Sequence, residues 1–168
     1  MFCLHSSTER IINGRVDMVI GSRVLNGTAL QGGMPWWKFM SNRVLAIAGN
    51  LVHGTRLTDA HTGFRAFSYS PLTKVRFLLN SDDSVFDSQM IAQAVRFRFA
   101  TAELPVQARY FPEASSVNFR VSTIYSLKTL GVMLAFFTAK MRIGQFEYLE
   151  KNLAQVVRRH HHRGIFST

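Results

Sequence analysis

Val16-Asp17-Met18-Val19-Ile20-Gly21-Ser22-Arg23 is the stretch against which the rest of the chain falls into order. Residues 16–20 form a short run rich in β-branched side chains, and Gly21 behind them signals a turn, which predicts a strand. The segment 24–34 holds Gly27, Gly32 and Gly33 and reads as a loop. Pro35 suits the start of a helix, and Phe39, Met40, Val44, Ile47, Ala48 and Leu51 then recur at helical spacing up to Gly54, a C-cap candidate. Residues 57–67, with Gly63, predict a loop entering a short strand. Pro71 predicts a second helix running to residue 79. After the polar break at 80–84, residues 86–97 predict a helix with Ser84 as N-cap and Asp87 in its first turn. Residues 102–108 read as a strand that Pro105 confines to an edge or a bulge. A Ser-rich loop leads to a long amphipathic helix over 121–141, and the tail from 145 ends in a basic run at 158–163. Strands alternating with helices indicate an α/β sheet.

Composition narrows the function. The 168 residues suffice for one domain with a real core, and 47% hydrophobic with 18% charged residues excludes a disordered chain. Twenty basic against ten acidic residues leave a formal charge of +10, which favours an anionic partner. The basic residues are dispersed and no nucleic-acid-binding motif occurs, so a phosphate-bearing substrate or an acidic membrane surface is expected rather than DNA or RNA. Cys3 stands alone and excludes an internal disulfide framework. The first ten residues lack a basic segment followed by an apolar run, so no signal peptide is expected. The longest apolar run, 129–139 between Lys128 and Lys140, falls short of the roughly 20 residues of a spanning helix. A helix lying on a membrane surface, or one packed inside, is the expectation.

Several strings in order carry a resemblance. They are Val19-Ile20-Gly21-Ser22-Arg23, Gly32-Gly33-Met34-Pro35, Asn42-Arg43, Gly54-Thr55-Arg56-Leu57-Thr58-Asp59 and Thr62-Gly63-Phe64-Arg65. Phe86-Asp87-Ser88-Gln89-Met90, Glu103-Leu104-Pro105-Val106 and Arg109-Tyr110-Phe111-Pro112-Glu113-Ala114-Ser115-Ser116 follow. Over residues 10–144 the chain resembles family 2 glycosyltransferases of the dolichyl- or polyprenyl-phosphate mannosyl- and glucosyltransferase kind. The resemblance implies a GT-A fold, a Rossmann-like α/β sheet that binds a nucleotide sugar and a divalent metal, Mg or Mn. It also implies that this chain matches only the C-terminal half, because residues 16–23 match a segment that follows the metal-binding Asp-X-Asp. The expected fold is therefore an incomplete GT-A sheet lacking the nucleotide-binding strands, over residues 1–120. An amphipathic membrane-proximal helix (121–144) and a basic tail (145–168) are expected to complete it. Asp82-Asp83, the one close acidic pair, lies in an expected interhelical loop rather than after a core strand, so no metal ligands are expected here.

The implied reaction is attack of a lipid phosphate oxygen on the anomeric carbon with inversion, a nucleoside diphosphate leaving. Such an acceptor is already anionic and needs positioning and charge compensation more than a base. Arg23, behind the strand's carboxyl end, is the first candidate for the acceptor phosphate. Lys38 and Asn42, one helical turn apart, follow, and Arg65 joins them. Asp59 is expected near the sugar or the acceptor, with a structural Asp–Arg pair as the alternative. Asp87 matches the acidic residue that related enzymes use as base and stands as a second catalytic candidate, or as a carboxylate stabilised by its helix. Arg109, Ser115 and Ser116 fall where relatives carry a flap over the nucleotide phosphates. His61 is assigned no role. Trp36 and Trp37 suit either a membrane interface or the core. The expected partners are a nucleotide sugar, a polyprenyl phosphate, the cytoplasmic face of a membrane held peripherally, and either a separate N-terminal half or a second copy. The alternative is a non-catalytic remnant or partner subunit keeping only the acceptor-binding half. An unpaired sheet edge at the first strand is expected as well.

Overall fold

The structure, a computed structural model, describes residues 9, 11, 13, 14, 16–107 and 119–150. Its centre is β1 (Met18–Ser22), every residue of which is buried. β2 (Arg65–Phe67) lies antiparallel on one side of it, Ile20 opposite Arg65, and β3 (Thr101–Pro105) parallel on the other, Ile20 opposite Glu103. The sheet order is β2-β1-β3. The expected open edge at the first strand is therefore not found, because the returning segment 65–67 occupies it. β3, which ends at Pro105, takes an outer position, as a strand that loses a backbone donor should. Gly21 is required at its place: a Cβ there would lie 2.7 Å from Val106 Cγ1 and 3.0 Å from Phe64.

Between β1 and β2 the chain forms a short α1 (Thr28–Gln31) and then α2 (Trp36–His53). Pro35 precedes α2, and Gly54 closes it in the left-handed conformation (φ 72°), its N–H bonding to Asn50 O at 2.8 Å. The helix expected from Pro71 to residue 79 splits into α3 (Tyr69–Leu72) and a 3-10 turn (Phe77–Leu79). α4 (Phe86–Arg96) begins with Val85 rather than Ser84 at its cap, and Asp87 lies in its first turn.

α5 (Phe119–Lys140) and a 3-10 turn (Glu147–Leu149) complete the fold. Val132 and Phe136 of α5 share a core cluster with Val85, Ala92, Tyr148 and Leu149, while Met18, Ile20, Leu57, Ile91 and Ala94 form a second against the sheet. α2 and α5 run side by side in the same direction, since Gly49 meets Met133 and His53 sits edge-on to Phe136 at 4.7 Å between centroids. A Cβ on Gly49 would come within 3.1 Å of Met133 Cε, the flexible end of that side chain. The turn after α5 is clasped to α4: buried Gln93 donates to Tyr148 O at 2.9 Å and Arg96 to Leu149 O at 3.3 Å.

α5 is not amphipathic in the expected sense. Ile124, Leu127, Leu130, Leu134 and Phe137, the stripe read from the sequence, are exposed, while Thr129, Val132, Met133 and Phe136 face the core. Apolar residues thus occupy both sides. The helical segment Arg120–Lys140 is long and apolar enough to cross a membrane, because helix extends on both sides of the apolar run.

Candidate functional site

At the carboxyl end of β1, Arg23 and Asp59 lock together. Arg23 Nε donates to Asp59 Oδ2 at 2.6 Å and Nη2 to Oδ1 at 2.9 Å, a two-pronged contact that only a guanidinium can make. The Arg23 backbone N–H adds a bond to Oδ2 at 3.1 Å, and Nη2 also reaches the His61 carbonyl at 3.1 Å. Asp59 is 2% exposed. Burial works to raise its pKa, but the hydrogen bonds and charge of Arg23, helped by the His61 N–H, prevail and hold the carboxyl below its ordinary value.

The loop carrying Asp59 is fixed from three sides. Glu103 of β3 accepts from the Thr58 N–H at 2.9 Å and from the Asp59 N–H at 3.1 Å. Arg43 of α2 donates to Thr58 O at 3.0 Å, and Asn50 bonds Leu57 through both its amide oxygen and its nitrogen. Ser22 Oγ meets Thr58 Oγ1 at 2.7 Å.

Above this support lies a cleft of about 290 Å3, at the lower edge of small-molecule sites. Its walls come from Arg23, from Trp37, Lys38, Ser41 and Asn42 of α2, from His61, from Ser84, and from Val121, Ser122, Tyr125 and Ser126 of α5. The first turns of α2 and α5 face it, and Ser84 precedes the first turn of α4. Two cations and the positive ends of helices thus converge on one hollow, which suits an anion. Burial, and next the charge of Arg23, lower the Lys38 pKa. An anion between the two cations would relieve that repulsion.

His61 lines the cleft and also an inner cavity of about 20 Å3, room for about one water. Its Nδ1 lies 2.9 Å from the Tyr125 hydroxyl, and its Nε2 is buried with no hydrogen-bond partner. Burial brings its pKa down to about 4, so the ring is neutral at pH 7; Asp59 opposes this shift, while Arg65 and Arg23 add to it.

No protein-family model matches the chain, and no solved structure matches it significantly. Three curated proteins of archaea do match. An uncharacterized protein of Methanocaldococcus jannaschii is 31% identical over 121 residues, covering 72% of this chain and 49% of that protein. The low-salt glycan biosynthesis hexosyltransferase of Haloferax volcanii is 32% identical over 107 residues, 63% of this chain and 25% of its own. The UDP-N-acetylglucosamine–dolichyl-phosphate N-acetylglucosaminyltransferase of Methanococcus voltae is 29% identical over 102 residues, 61% of this chain and 40% of its own. The chain is a distant relative of glycosyltransferases. It spans half or less of the length of each of these relatives.

Of the residues singled out from sequence, Arg23, Lys38 and Asn42 line the cleft, and Asp59 supports it from beneath through Arg23. Arg65 and Asp87 are not among the lining residues. The Arg65 guanidinium is buried, pairs with Asp87 and donates to Ala60 O at 2.8 Å, tying the start of α4 to the Asp59 loop. Asp87 keeps 45% of its side chain exposed. Arg109, Ser115 and Ser116 lie outside the described residues. Trp37 faces the cleft, whereas Trp36 is exposed. Among the described residues no cluster of three or more His, Cys, Asp or Glu could hold a metal, and Asp83 instead pairs with Lys128 at 2.6 Å. The donors among the described residues do not fit the implied metal.

Sequence reading missed His61, Tyr125 and Glu103. Glu103 had a signal available, a charged residue in the middle of an apolar strand. His61 and Tyr125 had none, since they meet across 64 residues.

Proposed function

We propose that this chain is the acceptor-binding part of a membrane-associated glycosyltransferase that transfers a sugar from a nucleotide sugar to a polyprenyl or dolichyl phosphate with inversion. The observation that carries the reading is the convergence of Arg23 and Lys38 on one cleft at the carboxyl end of β1. In this reading Arg23, Lys38 and Asn42 hold the lipid phosphate. Asp59 acts through Arg23, fixing the direction of its guanidinium, and the Arg65–Asp87 pair braces the loop. A phosphate oxygen needs no proton removed before attack, so cations that position it and compensate its charge are adequate. The name of the Methanococcus voltae relative supports dolichyl phosphate as the acceptor class.

The exposed stripe of α5, with Arg120, Lys140 and Arg142 exposed at its ends, supports a seat on the cytoplasmic face of a membrane, where lipid head groups are anionic. Because residues 147–149 after the helix are clasped to α4, the same body holds both sides of α5, which supports a peripheral seat over a crossing.

A second reading, a non-catalytic subunit that only presents the acceptor, is favoured by the lack of a metal donor cluster among the described residues. One assay separates the two. Membranes containing the chain are given a radiolabelled nucleotide sugar and polyprenyl phosphate, with native protein and Arg23→Ala compared. Transfer that falls at least about tenfold in the variant supports the enzyme. Transfer appearing only when an Asp-X-Asp-bearing N-terminal half is supplied supports the subunit. Equal transfer with and without Arg23 removes it from the site and sinks both.

A further inference from the structure

At His61 and Tyr125 a loop residue and a residue of α5 meet through polar atoms in the cleft wall. Their rings are edge to face, with centroids 5.6 Å apart, and the Nδ1–Oη distance of 2.9 Å is a full hydrogen bond. A neutral imidazole has two ways of making it. With the proton on Nε2, Tyr125 donates to Nδ1, and a buried N–H is left with no acceptor. With the proton on Nδ1, His61 donates to the tyrosine oxygen, and only a bare ring nitrogen is left unpaired. Buried N–H groups without a partner are rarer than acceptors without one, so the second arrangement is preferred. It leaves the Tyr125 O–H proton free to turn into the cleft. Burial, which keeps His61 neutral, permits this tautomer.

We propose that Tyr125, turned by His61, is a ligand-binding donor that hydrogen-bonds a non-bridging oxygen of a phosphate monoester in the cleft. The inference rests on the phosphate reading given above. Arg23 and Lys38 supply charge from the β1 and α2 sides, and Tyr125 supplies a directed hydrogen bond from α5. His61 is then a positioning residue: its carbonyl takes the Arg23 guanidinium while its ring aims Tyr125, so one residue sets the direction of two donors.

The test uses the full chain with farnesyl phosphate and, separately, inorganic phosphate as probes, binding being read by calorimetry and folding by thermal unfolding. Tyr125→Phe is expected to weaken both probes by about tenfold or more, the size of a lost hydrogen bond to a charged group. His61→Asn keeps a nitrogen donor near the Nδ1 position and should bind within about threefold of native, whereas His61→Leu should resemble Tyr125→Phe. If native protein binds farnesyl phosphate and Tyr125→Phe binds it equally well, the inference falls and the cleft reading stands. Loss confined to farnesyl phosphate would place Tyr125 against the lipid and overturn its role as phosphate donor. Native affinity in His61→Leu would overturn the positioning role. If native protein binds neither probe, the cleft reading itself fails and takes the inference with it.

Discussion

Asp59 touches the cleft wall from beneath, through Arg23 and the His61 N–H. Removing its charge leaves a guanidinium whose side chain is just 14% exposed without its partner. Asp59→Ala is therefore expected to cost about 3–5 kcal/mol, the range for breaking a buried pair from one side, measured by urea unfolding. A loss below about 1 kcal/mol would show that water reaches the pair. The two half-buried histidines, His53 and His61, give a prediction with a definite sign. Burial, and for His53 next the charge of Lys140, holds both pKa values near 4 against an ordinary 6.5. The unfolded chain takes up these protons near pH 6.5 and the folded chain does not. Stability should thus be complete above pH 6.5, decline as pH falls and level off near 4, where carboxylates such as Asp59 begin to contribute. His53→Gln should flatten that decline by about one proton's worth; an unchanged slope would mean that His53 titrates normally in the fold. At this level the shared placement of Arg23, Lys38 and Asn42 at one cleft was legible because strand ends and helical spacing act within a few residues. The Arg65–Asp87 pairing was not, since each charge had a nearer apparent task and only the path of 59–65 brings them together.

α5 carries its apolar residues on two sides for two different neighbours. Thr129, Val132, Met133 and Phe136 belong to the core, whereas Leu127 and Leu134, each 63% exposed, touch solvent. Replacing both exposed leucines with Glu should leave thermal unfolding within a degree or so, yet reduce flotation with phosphatidylserine-containing vesicles by roughly tenfold or more. Unchanged flotation would remove the helix from the membrane seat. The clasp makes a separate prediction. Gln93→Ala leaves the buried Tyr148 carbonyl without this donor and should cost about 1–3 kcal/mol, with faster hydrogen exchange at the N–H groups of Leu149 and Glu150. Element positions followed the sequence where local signals were strong, as with Gly54 ending α2 and Pro105 ending β3. They departed where tertiary contacts decide. Pro71 sits inside a helix of one turn, and the Ser84 hydroxyl gives way to Val85 at the head of α4, a place in the core cluster outweighing a cap.

Alternation of strands and helices predicted a mixed α/β fold, and the protein has one, but the partner order around β1 could not be read from spacing. Turning β2 antiparallel beside β1 needs only the short return through 59–65, and that return closes the edge expected to be open. Charge acts over the whole body as well. With a formal +10, vesicle binding should weaken steeply as salt rises from 50 to 500 mM, because the Debye length shrinks from about 14 Å to about 4 Å. Salt-independent binding would mean that apolar burial alone holds the chain to the bilayer. Gly49 of α2 faces the flexible end of the Met133 side chain on α5, and a Cβ there would lie 3.1 Å from Met133 Cε. A methyl group at position 49 has only that mobile thioether end to displace, so the seam between α2 and α5 can take it up by a small side-chain shift. The two helices that wall the cleft thus meet at a joint that is forgiving on its methionine side.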